Sequence, residues 1–338
     1  REDFLDEFVR HDGRGDYLHQ HICTGTGNEC KSTNLVFRCS DCLYPCLYCE
    51  GCVKSLHQCM PLHHIEKWDG ISFKRCALKS LGIRIQLGHP LGERCPNPAR
   101  AAGDDFVIIN SHTIDEVGLD YCNCAQAIQL LRVRLYPATS TNPRSAATFA
   151  ALRRFDHMAL ESKCSAYEFY NSLARETDNT GLEPSRERYE EFLRMTRQWQ
   201  HLKLLKRAGR AHAPEEDRIG TTKAGECALL CPACPQPGKN LPPNWEKVPF
   251  EKACVGPIQI DEPLPIAFSF IYALFLALDA NFRLKRKDVS SEEKDPGLVR
   301  GWAFFGEVTA YMTHLDRYWD QKQEVRVYSR SRSKLLMG

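Results

Sequence analysis

Phe37-Arg-Cys39-Ser-Asp-Cys42-Leu-Tyr-Pro-Cys46-Leu-Tyr-Cys49-Glu-Gly-Cys52-Val-Lys-Ser-Leu-His57-Gln-Cys59-Met-Pro-Leu-His63-His64 is the stretch that decides how the front of this chain folds. It holds two Cys-x-x-Cys pairs followed by histidines, and Cys23 and Cys30 stand ahead of it. Two residues between cysteines let both sulfurs reach one tetrahedral ion at about 2.3 Å, and a second pair with histidines completes a site or a pair of sites. Eight of the 17 cysteines lie between Cys23 and Cys59. An odd total, pairs two residues apart and interleaved histidines favour thiolate ligation in a reducing compartment over disulfides. The plainer alternative is a reduced cysteine-rich loop without metal. The expectation is structural zinc.

The order of these residues resembles a cross-braced, B-box-like arrangement, in which the first and third ligand pairs share one ion and the second and fourth share another. That resemblance implies Cys23, Cys30, Cys49 and Cys52 around one zinc, and Cys39, Cys42, His57 and His63 around the other. Cys46 and Cys59 are surplus, and either can replace Cys23 or Cys30, whose spacing is wider than a normal knuckle.

A second constellation follows in Gln86-Leu-Gly-His89-Pro-Leu-Gly-Glu-Arg-Cys95-Pro-Asn-Pro98 and Tyr121-Cys122-Asn-Cys124. Phe106-Val-Ile-Ile109 and Ile128-Gln-Leu-Leu-Arg-Val-Arg-Leu135 read as short strands, so a hairpin is expected to bring His89, Cys95, Cys122 and Cys124 together as a four-ligand site. The alternative is that His89 caps a turn and the Cys-x-Cys pair is incidental. A third pair, Cys231-Pro-Ala-Cys234, sits on a proline-rich turn and makes half a zinc site, to be completed by Cys227, Cys254 or His212, or else a rigid turn without metal. Its flanking prolines argue against a thioredoxin-like thiol.

Two family resemblances attach to these motifs. The stretch from Pro61-Leu-His-His-Ile-Glu-Lys-Trp68 through His89, Cys95 and Asp120-Tyr-Cys-Asn-Cys124 to Leu135-Tyr-Pro-Ala-Thr139 looks like the CxC2-type cysteine cluster attached to fungal KDZ (Kyakuja, Dileera and Zisupton) transposases. Further on, Leu278-Asp279-Ala-Asn-Phe-Arg-Leu-Lys-Arg-Lys287, then Asp295-Pro-Gly-Leu298 and Gly301-Trp-Ala-Phe-Phe305, resembles the start of the KDZ catalytic domain. That resemblance implies an incomplete RNase H-like start, with Asp279 as the first acidic metal ligand of a Mg2+- or Mn2+-dependent strand-transfer site. Glu307, Asp316, Asp320 and Glu324 read as solvated helix residues rather than its partners. The family pattern is lost after Glu324, so the chain is expected to be truncated early in that domain and not to cut DNA by itself.

Composition bounds the remainder. With 338 residues and 43% hydrophobic content, the chain can bury a sizeable core spread over several units. Its formal charge of +2 favours no class of partner by itself. No apolar run is long enough to span a membrane, and the start Arg1-Glu-Asp-Phe4 shows no secretory signal. Between the cysteine regions lies a helical block: one pattern from Phe149 through Leu152 and Phe155, a break at Asp178 to Gly181, and a second from about Ser185 to Arg207.

The fold class is therefore α+β, with small zinc-stabilised β-rich modules, a helical middle and the partial RNase H-like segment. The expected organisation is an N-terminal segment at 1–20, a B-box-like cluster at 21–70, a CxC2-like cluster at 71–145, a helical region at 146–222, a Pro-rich Cys-x-x-Cys segment at 223–262 and the partial domain at 263–338. The expected function is a non-catalytic, transposon-derived zinc-binding protein of the nucleus that contacts transposon DNA or chromatin proteins. Lys203, Lys206, Arg207 and Arg210, and Lys285 to Lys287, are the basic groups that can meet phosphate. The competing reading is a zinc-dependent interaction adaptor with no DNA role.

Overall fold

A computed structural model describes residues 1–229, apart from 20–21, 24, 26–29, 45, 91, 123–125, 182–185, 213 and 215–217, together with Gly238, Lys239, Pro243, Thr313 and Arg317. The protein is α+β. It divides into two compact units, Arg1–Trp199 and Gln200–Gly338. Asp279, Cys124, Cys231 and Cys234 lie outside the described residues, as does the segment expected to be RNase H-like apart from Thr313 and Arg317.

The first unit opens with helix α1 (Glu2–Arg10), which buries none of its side chains. Three short strands, β1 (Phe37–Cys39), β2 (Ile65–Trp68) and β3 (Phe73–Cys76), then form an antiparallel sheet in that order, with α2 (Glu50–His57) between β1 and β2. Phe37, Cys39, Val53, Ile65 and Leu78 make its small core. The register pairs Cys39 with Ile65, which carries the end of β1 alongside His63 and His64.

A second sheet follows, built from β4 (Arg84–Gln86), β5 (Pro98–Arg100), β6 (Phe106–Ile109), β7 (Ile114–Cys122), β8 (Leu135–Pro137) and β9 (Ser145–Thr148). The strand order is β4-β7-β6-β9-β8, and β5 also pairs with β7. β6 is buried along its whole length because both of its faces are covered. Strand side chains alternate between faces. Phe106 and Ile108 point into a cluster with Leu87, Leu119, Tyr121 and Leu130, whereas Val107 and Ile109 join Ile114, Tyr136 and Ala147 on the opposite face.

That opposite face carries the helices α4 (Phe149–Glu161), α5 (Ala166–Thr177) and α6 (Tyr189–Arg207). Leu152, Phe155, Phe169, Tyr170, Phe192 and Met195 bury against the sheet residues. Phe155, Phe169 and Phe192 meet with ring centroids 5.5 to 5.6 Å apart, the separation at which aromatic pairs add to simple area burial. Thr148 caps α4 by accepting the Ala151 N–H, and Ser165 with Glu168 closes a capping box on α5.

The segment expected as a strand over residues 128–135 is instead helix α3 (Gln126–Arg132) leading into β8. Its apolar residues are too few to separate the two periods. Geometry decides for the helix, because Gln129 must turn back to the end of β7, where its side chain brackets the backbone of Cys122 at 3.0 Å and 2.7 Å.

In the second unit, the described residues take the end of α6, a turn at Gly209 with φ +77°, and a short 3-10 helix at Ile219–Thr221. Arg210 pairs with Glu226, and Cys227 is buried. Among the described residues no helix is long and apolar enough to cross a membrane.

Candidate metal centres

α2 is shared by two groups of ligand-type side chains. Its N-terminal end supplies Cys49, as the N-cap residue, and Cys52 from the first turn, while its last residue is His57. The donor atoms of Cys23, Cys30, Cys49 and Cys52 lie within 4.8 Å of one another, as do those of Cys39, Cys42, His57 and His63. The groups interleave along the chain and share the helix, so neither can be assembled without positioning the other.

In the all-cysteine group, the Cys30 and Cys49 sulfurs are 3.7 Å apart. Two thiolates at about 2.3 Å from a tetrahedral ion stand about 3.8 Å apart, so this spacing suits metal ligation and not a disulfide. The Cys49 N–H donates to the Cys23 sulfur at 3.4 Å, which favours negative charge there. Burial pushes the Cys49 thiol up, but hydrogen bonds from the Cys52 N–H and from the thiols of Cys52, Cys30 and Cys23 outweigh it and bring it down to about 7. Gly25 is required for closeness: a Cβ there would sit 2.7 Å from the Cys52 Cβ and 2.8 Å from the Tyr48 ring.

In the mixed group, His63 Nδ1 lies 3.4 Å from the Cys39 sulfur and 3.6 Å from the Cys42 sulfur, and His57 Nε2 lies 3.5 Å from the Cys42 sulfur. A sulfur and an imidazole nitrogen on one tetrahedral zinc stand about 3.5 Å apart. His57 is buried, and its Nδ1 meets the Val53 carbonyl at 2.9 Å. Only a protonated Nδ1 suits that oxygen, so Nε2 keeps its lone pair for the cluster, as a ligating histidine requires. Burial pushes the Cys39 thiol up to about 12 despite backbone hydrogen bonds from Asp41 and Cys42. A divalent ion offsets that cost by binding the thiolate directly.

The third group forms where the chain crosses the end of β7. β4 runs parallel to β7 on one side, pairing Gln86 with Asp120, and β5 returns antiparallel on the other, pairing Pro98 with Cys122. The connecting loop must pass over the end of β7. It carries His89 and Cys95, whose donor atoms come within 4.8 Å of each other and of Cys122. His89 Nε2 is buried and has no hydrogen-bond partner, an arrangement that an ion would satisfy. Cys124 lies outside the described residues, so the structure gathers three of the four residues expected here.

Cys46 and Cys59 enter none of the groups among the described residues. The Cys46 sulfur instead accepts the Tyr17 hydroxyl at 3.3 Å, and Cys59 is exposed. Sequence spacing did not single out Asp41 or His112, or connect Asp115 with His64: Asp41 meets His64 through the pairing of β1 with β2, and His112 and Asp115 reach it where the second sheet packs.

Residues 78–181 match the CxC2-like cysteine cluster associated with KDZ transposases. The match covers just under a third of the chain. This CxC2-like segment contains the whole His89–Cys95–Cys122 group, the second sheet, and helices α4 and α5. No curated protein and no solved structure matches the chain. The clusters can hold metal ions, and their thiolate and imidazole donors are consistent with zinc.

Proposed function

We propose that this chain is a transposon-derived zinc protein of the KDZ type, in which structural zinc shapes a binding surface for transposon DNA or the transposase complex. The observation that carries the reading is the pair of interleaved four-residue groups sharing α2. Soft sulfur and imidazole donors select zinc over magnesium or calcium, and four protein ligands leave no open position for catalysis, so the ions serve the fold. The CxC2-like match supplies the transposon connection. Strand chemistry is assigned by resemblance to Asp279 and to further acids with Mg2+ or Mn2+. The described body is given binding alone, and a nuclear location follows from that role.

Metal analysis of the purified chain should return zinc, and a gel shift on duplex DNA should weaken as salt rises, because phosphate contacts release counterions. Absence of a shift at low salt removes the DNA role. One observation favours the adaptor reading in that event: α1 exposes Phe4, Leu5, Phe8 and Val9 while burying nothing, as a helix that docks on another protein does. Fluorescence microscopy of the tagged chain tests the nuclear placement.

A further inference from the structure

Beside the mixed cysteine-histidine group, His64 joins the two sheets. Its Nε2 lies 3.0 Å from Asp115 Oδ1 and 3.0 Å from the Thr113 hydroxyl oxygen. Thr113 spends its proton on Asp115 Oδ2 at 2.8 Å, and Arg75 donates to Asp115 Oδ1 at 2.7 Å. Both neighbours of Nε2 are therefore acceptors, and Nε2 must carry the hydrogen. That leaves Nδ1 facing Asp41 Oδ2 at 2.7 Å. The same oxygen already accepts the His64 backbone N–H at 2.7 Å.

With its hydrogen on Nε2, the ring presents Nδ1 beside the Asp41 carboxylate, so two donor atoms stand side by side. A third group is present: His112, on the turn between β6 and β7, brings its donor atom within 4.8 Å of those of Asp41 and His64. Its ring stands edge-on to His64 with centroids 5.4 Å apart. A histidine that donates its far nitrogen to a carboxylate, itself fixed by an arginine, is the arrangement that orients metal ligands.

We infer that Asp41, His64 and His112 form a further divalent-metal site, separate from the cysteine clusters and joining the first sheet's module to the second sheet. Two imidazoles and a carboxylate suit a borderline ion such as Zn2+, Ni2+ or Co2+, and not Mg2+ or Ca2+. Metal–ligand bonds of about 2.1 Å set neighbouring donors about 3.0 to 3.4 Å apart. Asp41 therefore moves by a few tenths of an ångström when the ion enters, which its exposure permits. Asp41 and His112 are both exposed and leave the ion open to solvent. The ion is thus exchangeable, unlike those of the closed groups.

The test is equilibrium dialysis of the full chain, with its zinc content measured first, against Ni2+ alone. One additional ion per chain is expected at micromolar to tens-of-micromolar concentration, at least tenfold weaker in His112→Ala and in Asp41→Asn. His112→Ala should keep its circular dichroism, because among the described residues its side chain hydrogen-bonds to the neighbouring Ser111 hydroxyl at 3.1 Å and to no other group. No additional ion in the unaltered chain, or equal uptake by His112→Ala, overturns the inference. Because the initial zinc content is measured independently, a chain lacking zinc would refute the proposed function without deciding this site.

Discussion

The first sheet's module and the second sheet with its helices are held together by different physics. In the module, the buried groups include Cys23, Cys39, Cys49 and Cys52, and the apolar side chains beside them are few: Leu35, Leu47, Phe37, Val53, Ile65 and Leu78. The second body buries Phe106, Ile108, Leu119, Tyr121, Phe155, Phe169 and Phe192 on two faces of one sheet. A core of the first kind is small for its short strands, and on the proposed reading ion binding supplies much of the folding free energy. A core of the second kind needs no ion for its packing. The proposed function therefore sets a metal-dependent fold beside a core-held one in a single chain.

The largest expected effect breaks the module alone. A strong chelator should abolish hydrogen-exchange protection across β1, α2 and β2 while β6, β9 and α4 keep theirs, since a structural zinc contributes about 10 to 16 kcal/mol of apparent binding free energy in small modules. Cys52→Ala should lower bound metal by at least one ion per chain, and by two where the shared helix is lost, and should expose the same segment to protease. If the chelated module stays protected, its small apolar core suffices and the contrast fails. The converse variant, Phe192→Ala, should cost about 3 to 5 kcal/mol in the second body and leave metal content unchanged. Thermal unfolding followed by near-ultraviolet circular dichroism, with zinc measured in parallel, separates the two.

The legibility of the sequence followed the same divide. The ligand sets of the module were implied by the cross-braced, B-box-like resemblance, since two-residue spacing ties only Cys39 to Cys42 and Cys49 to Cys52, and the structure brings the residues of those sets together. The second body offered weaker clues. Phe106 to Ile109 was readable as a strand because it is uniformly apolar, yet its parallel pairing with Ser145 to Ala147 is a long-range contact that no local pattern encodes. Ile128 to Leu135 misled because the run is short and the helix in its first part is dictated by Gln129 returning to Cys122. The meeting of Asp41, His64, His112 and Asp115 was invisible for the same reason. Asp279 and the Cys231–Cys234 pair lie outside the described residues.

A third variant probes where the two kinds of support overlap. Arg84 on β4 forks between Asp120, two residues before Cys122, at 2.6 Å and 2.7 Å, and Asp104 at 2.6 Å. Gly118 leaves room for it: a Cβ there would come within 2.9 Å of the guanidinium. Arg84→Met should cost about 1 to 3 kcal/mol, because Asp120 is nearly buried and loses its partner. It should also loosen the loop that carries His89 and Cys95. Weaker zinc retention in Arg84→Met than in Phe192→Ala, at matched loss of stability, would show that ion pairing rather than core packing positions the third group. Equal retention would assign that role to the core.

The smallest effect is a matter of pH and belongs to the second body alone. The Ser165 backbone N–H, and then its hydroxyl, hold the Glu168 carboxyl below its usual value of 4.5. A depressed acid stabilises the fold above its unfolded pKa, and the contribution is lost as pH falls through the lower folded value. In the module, acid acts by another route, since protons compete with metal for thiolate and imidazole and release it at higher pH. Exchange protection of the first-turn amides of α5 should therefore persist after the module has lost its ions and decline only below about pH 4.5. Glu168→Gln should flatten that decline without changing the metal-release midpoint. A common midpoint for α2 and α5 in the unaltered chain would mean that the two bodies unfold together, and the distinction between an ion-held fold and a core-held one would have to be given up.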